Sequence, residues 1–154
     1  MGKPLLDSSR YSARMEMIPP GRLGWLDLTV DAAPEVRDFY SRVIGWKPEG
    51  VEMDGYDDFN MLDDTGEPVA GIEPVAGICH RRGMNAGIPP VWIPYFIVED
   101  IETATKQAVR NGGEEVELRR EEDGTLVLSI LKDPAGAVFA LFQSEEMDDE
   151  EDDD

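Results

Sequence analysis

One arrangement is written twice along this chain, and it restricts the fold more than any single motif. The stretch "RLGWLDLTV" alternates, so that Trp25, Asp27 and Thr29 share one face of a strand and Leu26, Leu28 and Val30 the other. "AAPEVRDFYSRVIGW" follows as a helix: Pro34 suits a first turn, Val36, Phe39, Tyr40 and Val43 recur at helical spacing, and Gly45 ends it. "KPEGVEM", "DFNML" and "EPVAGI" then read as short strands separated by the turn-forming "DGYD" and "DDTG". The second half repeats the order. "WIPYFIV" is a strand, "DIETATKQAVRNGG" a helix with Asp100 as its N-cap, and "EEVELRR", "TLVLSIL" and "AVFALFQ" three strands with turns at "EEDG" and "KDPAG". A shift of 68 residues lays Val30 and Asp31 on Val98 and Glu99, and Gly45 on Gly113. A shift of 69 lays Asp64 on Asp133 and Val69 on Val138. The expected class is therefore α+β, built from two βαβββ modules.

The boundaries follow from composition. Residues 1–20 read as a loosely held arm, 21–143 as the folded domain with modules at 21–80 and 90–143, and 144–154 as a disordered acidic tail. At the junction "PVAGIE" is followed at once by "PVAGIC", a short tandem duplication that lengthens either the fourth strand or the linker. The 154 residues suffice for one domain with a real core. The arm lacks the continuous apolar stretch of a signal peptide, and no run approaches the roughly 18 apolar residues of a membrane span, so a soluble cytoplasmic protein is expected.

The net charge is −20. Nine carboxylates sit in the last ten residues, and the rest of the chain still carries −11, the whole less those nine. Phosphates meet repulsion on such a surface, which argues against nucleic-acid and anionic-membrane partners. A single cysteine and a single histidine leave no disulfide framework and no multi-cysteine zinc site. The two are neighbours, Cys79 and His80, in "ICHRRGMNAG".

The helix ending "FYSRVIGW", the closing "DPAGAVFALFQ" and the module length resemble the vicinal oxygen chelate superfamily. Within it the chain is similar to glyoxalase-like and bleomycin-resistance-like proteins related to lactoylglutathione lyase, over about residues 22–143. The junction resembles a "GICH.RG.NA..PP.W" stretch of similar glyoxalase-like proteins. The resemblance implies a curved mixed sheet of two half-barrels around a cleft, the glyoxalase/bleomycin resistance/dioxygenase fold, and a homodimer. It also implies a divalent metal held by His, Gln or Glu on the first and last strands, where open coordination positions polarise substrate oxygens. Carried over by position, the first-strand ligand falls on Trp25, its counterpart on Ile93 and the last-strand Glu on Ala140, so no metal or other cofactor is expected. The duplication leaves the fourth-strand position unassigned.

The candidate site residues come from this frame. Asp27 shares the face of Trp25; a carboxylate beside an indole in a cleft should have a raised pKa, as a general base needs, and a hydrogen-bonded structural acid is the other reading. In an extended "GICH", Cys79 and His80 point to opposite faces, so a nucleophile–base dyad between them is not expected. Cys79 is then a packed thiol, and His80 lines the cleft mouth with Arg82 and Asn85, unless the arginines serve only local ion pairs. The expected cleft comprises Asp27 and His80 as catalytic candidates, with Trp25, Thr29, Asn60, Arg82, Asn85 and Tyr95 as ligand-binding ones. Trp92 and Tyr95 also read as core.

Three functions fit. The leading one is a glyoxalase-like protein that takes a small molecule without the usual metal and, if it is an enzyme, abstracts a proton with Asp27 or His80 beside a polarising Arg82. The second is a bleomycin-resistance-like protein that sequesters a drug, its acidity drawing a cationic ligand. A metal-dependent lyase, isomerase or dioxygenase ranks third.

Overall fold

The computed structural model describes residues 18–63 and 75–144. In chain order its elements are β1 (Leu23–Val30), α1 (Ala33–Ile44), β2 (Lys47–Glu52), β3 (Asp57–Leu62) and β4 (Ala76–His80). A 3-10 turn at Gly83–Asn85 precedes β5 (Trp92–Val98), α2 (Ile101–Arg110), β6 (Glu114–Arg120), β7 (Leu126–Lys132) and β8 (Val138–Gln143). This is the expected βαβββ order, twice. The described residues divide into two compact units, one spanning Leu26–Trp92 and the other Ile93 onward together with the segment ending at Trp25.

In the first unit the strands are ordered β2-β3-β4-β1. β2 and β4 each run antiparallel to β3, and β1 runs parallel to β4, with Asp27 opposite Gly77 and Thr29 opposite Cys79. Helix α1 starts with a proline in its first turn and ends at Gly45, whose φ of 92° is open to glycine at little steric cost and whose N–H reaches Ser41 O. Its buried side meets Leu28, Phe59, Met61 and Ile78 through Ala33, Val36 and Tyr40. Each such side chain withdrawn from water contributes about 1.5–3 kcal/mol. Phe39 and Val43, expected on the same apolar stripe, are 54% and 64% exposed. Val36 and Tyr40, four apart, centre the buried face, and at 100° per residue Phe39 and Val43 fall on its flank. Trp92 Nε1 donates to Tyr40 Oη at 3.0 Å, and the two rings meet edge to face with Trp46 alongside.

The second unit has the same plan, β6-β7-β8-β5, with β5 parallel to β8 and Tyr95 opposite Ala140. Asp100 caps α2 as expected, its Oδ1 accepting Thr103 N–H at 3.2 Å. At the other end Gly113 N–H reaches Ala108 O. A β-carbon on Gly113 would stand 2.7 Å from Lys132 O and 2.9 Å from Ala108 O, so only glycine fits between helix and strand. Ile101, Leu126, Leu131 and Leu141 form the core beneath α2. Within it Thr105 Oγ1 and Ser129 Oγ are 2.7 Å apart and satisfy one another.

The two copies of "PVAGI" are separated by the structure: β4 is built from the second, while "EPVAGI", expected as a strand, lies outside the described residues. The arm and acidic tail expected at the ends lie mostly outside them as well. At the margins the chain is ordered: Gly21 N–H donates to Ile97 O, and Ser144, placed in the tail by sequence, is buried with its N–H on Val98 O. Among the described residues no helix is long and apolar enough to cross a membrane.

Candidate functional site

The two faces of the first unit's strands differ sharply in chemistry. The face under α1 carries Leu28, Phe59, Met61 and Ile78. The opposite face, by strand alternation, carries Asp27 and Thr29 from β1, Asp58 and Asn60 from β3, and Cys79 from β4. Registers bring them abreast: Asn60 stands opposite Gly77, which stands opposite Asp27. All are buried, Asp27 and Asn60 at 3% and Thr29 at 1% exposure.

Cys79 belongs to this face. Its Sγ lies 3.4 Å from Asp27 Oδ2 and 3.8 Å from Oδ1, so the thiol donates to that carboxylate. Burial above all, and then the charges of Asp27 and Asp58, push the thiol well above its ordinary range. A thiol held protonated in this way is a hydrogen-bond donor and a poor nucleophile.

His80 turns to the other side of β4, away from Cys79. Asp58 Oδ1 accepts the His80 backbone N–H at 2.8 Å and stands 3.1 Å from the imidazole Nδ1. The ring lies edge-on to Tyr56 with centroids 5.1 Å apart. The Arg82 guanidinium covers that tyrosine's face at 3.9 Å, a cation–π contact. Burial first, and the neighbouring Asp58 charge second, raise the Tyr56 hydroxyl above its ordinary value. A pocket of about 500 Å³ opens beside it, lined by Gly50, Glu52, Gly55, Tyr56 and Asp57.

The expected site residues thus fall into separate groups. Asp27, Thr29 and Asn60 share one face of the first unit's strands, while Trp25 is buried in the second unit. His80 and Arg82 each meet Tyr56, and of the two catalytic candidates Asp27 pairs with Cys79 and His80 with Asp58. Asn85 is buried in the 3-10 turn after β4, where its carbonyl accepts Ile88 N–H. Arg81 serves structure, with Nε on Ile88 O and Nη1 on Asp31. Tyr95 is buried in the second unit. Asp58 and Tyr56 were missed by the sequence reading. A signal existed for Asp58, since "DFNM" alternates polar with apolar and places Asp58 and Asn60 on one face, but nothing local links that acid to His80.

Three of the ligand positions implied by the resemblance hold residues that do not fit a metal. Trp25, Ile93 and Ala140 are buried and offer an indole, an aliphatic chain and a methyl group, none of which ligates a divalent cation. No group of three or more His, Cys, Asp or Glu among the described residues is arranged to hold one.

Residues 25–142 match the Glyoxalase-like domain family. The anthracycline biosynthesis protein DnrV of Streptomyces peucetius is 27% identical over 135 residues, covering 84% of this chain and 49% of that protein. CFP32 of Mycobacterium bovis is 28% identical over 133 residues, covering 80% of this chain and 46% of that protein. The chain spans about half the length of the curated relatives it matches. Among solved structures, a Streptomyces coelicolor methylmalonyl-CoA epimerase in complex with 2-nitronate-propionyl-CoA aligns with a TM-score of 0.48 at 13% identity, over 82% of this chain and 99% of that one. With its twofold βαβββ order and a family match over residues 25–142, the chain belongs to the glyoxalase-like domain family of the vicinal oxygen chelate superfamily.

Proposed function

We propose that this protein binds a small organic molecule against the polar face of β1, β3 and β4 in the first unit, with Asp27, Thr29 and Asn60 as its polar contacts and no metal at the family's usual positions. One observation carries the reading. Neighbouring strands present these hydrogen-bonding side chains at 3% exposure or less on a face where a packing surface would carry aliphatic ones. Buried groups of this kind make hydrogen bonds instead of packing against aliphatic chains, which suits a surface built for recognition. The preferred ligand is planar, aromatic and cationic. The acidity of the chain and the Asp27 carboxylate favour positive charge, and two relatives, DnrV and DauV, are named for anthracycline biosynthesis.

Holding the ligand without transforming it is favoured by one feature. Cys79, the one thiol of this face, is kept protonated on Asp27 and supplies no nucleophile. The homodimer expected from the resemblance belongs to the same proposal, and sedimentation equilibrium tests it.

The experiment is a fluorescence titration of the full chain with an anthracycline that bears an amino sugar, followed by mass spectrometry of the recovered ligand. Saturable quenching with unchanged ligand supports a binding protein, and a changed ligand supports an enzyme. Asp27→Asn and Asn60→Ala should each weaken binding about tenfold, the worth of one hydrogen bond to a bound group. Absence of saturation, or wild-type affinity in both variants, sinks the reading.

A further inference from the structure

Asp58 and His80 meet where the β3–β4 ladder ends. Its pairs run from Met61–Ala76 to Phe59–Ile78. Past that point the Asp58 carboxylate takes the place of a backbone carbonyl, its Oδ1 accepting the His80 N–H at 2.8 Å. The same oxygen lies 3.1 Å from Nδ1. An ionised carboxylate only accepts, so the facing nitrogen carries the proton and Nε2 keeps its lone pair. A carboxylate that orients an imidazole in this sense prepares it as a general base. The side chains are 7% and 16% exposed, so water competes little for the bond. Tyr56 and Phe59, with centroids 5.1 and 6.2 Å from that of the imidazole, confine the ring.

A pocket adjoins the pair through Tyr56. Tyr56 is at once the neighbour of His80, the platform of Arg82 and a wall of the 500 Å³ pocket. Asp57, next to Asp58 in sequence, is another wall, and so is Glu52, which it faces across the β2–β3 pair. Two carboxylates there repel anions, so the guest carries no negative charge. Cys79 supplies no nucleophile there, since its buried thiol donates to Asp27 and is held protonated.

We propose that Asp58, His80 and Arg82 form a hydrolytic site for small neutral esters or lactones, with water as the attacking group. His80 Nε2 takes a proton from water as the water oxygen bonds to the carbonyl carbon. Arg82 faces the oxygen that gains the charge. Collapse of the tetrahedral intermediate breaks the bond to the alcohol oxygen, His80 returns its proton to that oxygen, and the new acid releases its own proton to solvent. His80 is the catalytic residue. Asp58 touches only the imidazole and is a positioning residue. Asp58 also belongs to the polar face of β1, β3 and β4, but the ester assay and the anthracycline titration read the two proposals separately.

The chain has one histidine, which makes the test clean. The full chain is assayed with p-nitrophenyl acetate against an equal concentration of free imidazole, and histidine-selective ¹⁵N NMR reads the tautomer. The wild type should exceed free imidazole by about tenfold or more, His80→Gln should return the rate to background, and Asp58→Asn should lower it about tenfold or more. The NMR spectrum should show the Nδ1–H tautomer in the wild type and a shifted tautomer balance in Asp58→Asn. A wild-type rate no greater than that of imidazole, activity that survives His80→Gln, or an Nε2–H tautomer overturns the proposal. Should Asp58→Asn fail to fold, the wild-type tautomer by itself decides the role of Asp58.

Discussion

The thiol of Cys79 donates to the carboxylate of Asp27 across the parallel β1–β4 pair, with Sγ 3.4 Å from Oδ2. Its sequence neighbour His80 is held by a different acid, Asp58, on the other adjoining strand. The adjacent cysteine and histidine therefore face two acids, and Asp58 lies within reach of the Cys79 thiol as well.

That pairing makes Cys79 unreactive. A thiol reagent at pH 8 should label the native protein at least about tenfold more slowly than the urea-unfolded chain, because the thiolate is the reacting species and burial suppresses it. Equal rates would show that the thiol is accessible and ionised.

The same thiol links stability to alkaline pH. Its folded value is raised well above the ordinary thiol value of 9.0, so its contribution is complete below about pH 9 and is lost as pH climbs toward the folded value. Between those limits stability falls by about 1.4 kcal/mol per pH unit on this group's account. Urea unfolding of wild type and Cys79→Ala at pH 8 and pH 10 should show a steeper alkaline loss in the wild type; parallel losses would remove Cys79 from the linkage.

In the second unit, Thr105→Val strips Ser129 of its partner inside the core and should cost about 1–3 kcal/mol. Adding Ser129→Ala should recover part of that loss, since no orphaned hydroxyl remains. A double-mutant cycle by chemical denaturation gives the coupling, and strictly additive losses would contradict it.

Gly113→Ala should be among the most damaging single-methyl additions. The new carbon meets two backbone carbonyl oxygens, of Lys132 and Ala108, and neither can step aside without moving β7 or α2. A loss of about 1–3 kcal/mol in urea unfolding is expected, and a neutral result would mean that the helix end yields.

Asp100→Ala removes the acceptor for Thr103 N–H at the start of α2. The cost should be about 1 kcal/mol, and Asp100→Ser should restore most of it. Thermal unfolding of the three proteins checks the order.

Much of the architecture was legible in the linear sequence. β5 and β6 fall on the strands expected from "WIPYFIV" and "EEVELRR", and α1 stops at the glycine marked for it. Period-two alternation placed Asp27 and Thr29 on one face of β1, and the extended "GICH" put Cys79 and His80 on opposite faces. Such features arise from contacts within a few residues, which a linear sequence displays directly. The helix stripe was less exact, with Phe39 and Val43 left outside the core.

The sequence by itself determined the order of the described elements, their turns and caps, and which residues of a strand alternate together on one side. Only the tertiary structure decided that Cys79 meets Asp27, 52 residues away, and that His80 meets Asp58, 22 residues away. Both depend on strand register, where a slip of one residue would turn every side chain to the other face. Register is settled by the packing of whole strands against α1 and against each other, and no local run of residues encodes it alone.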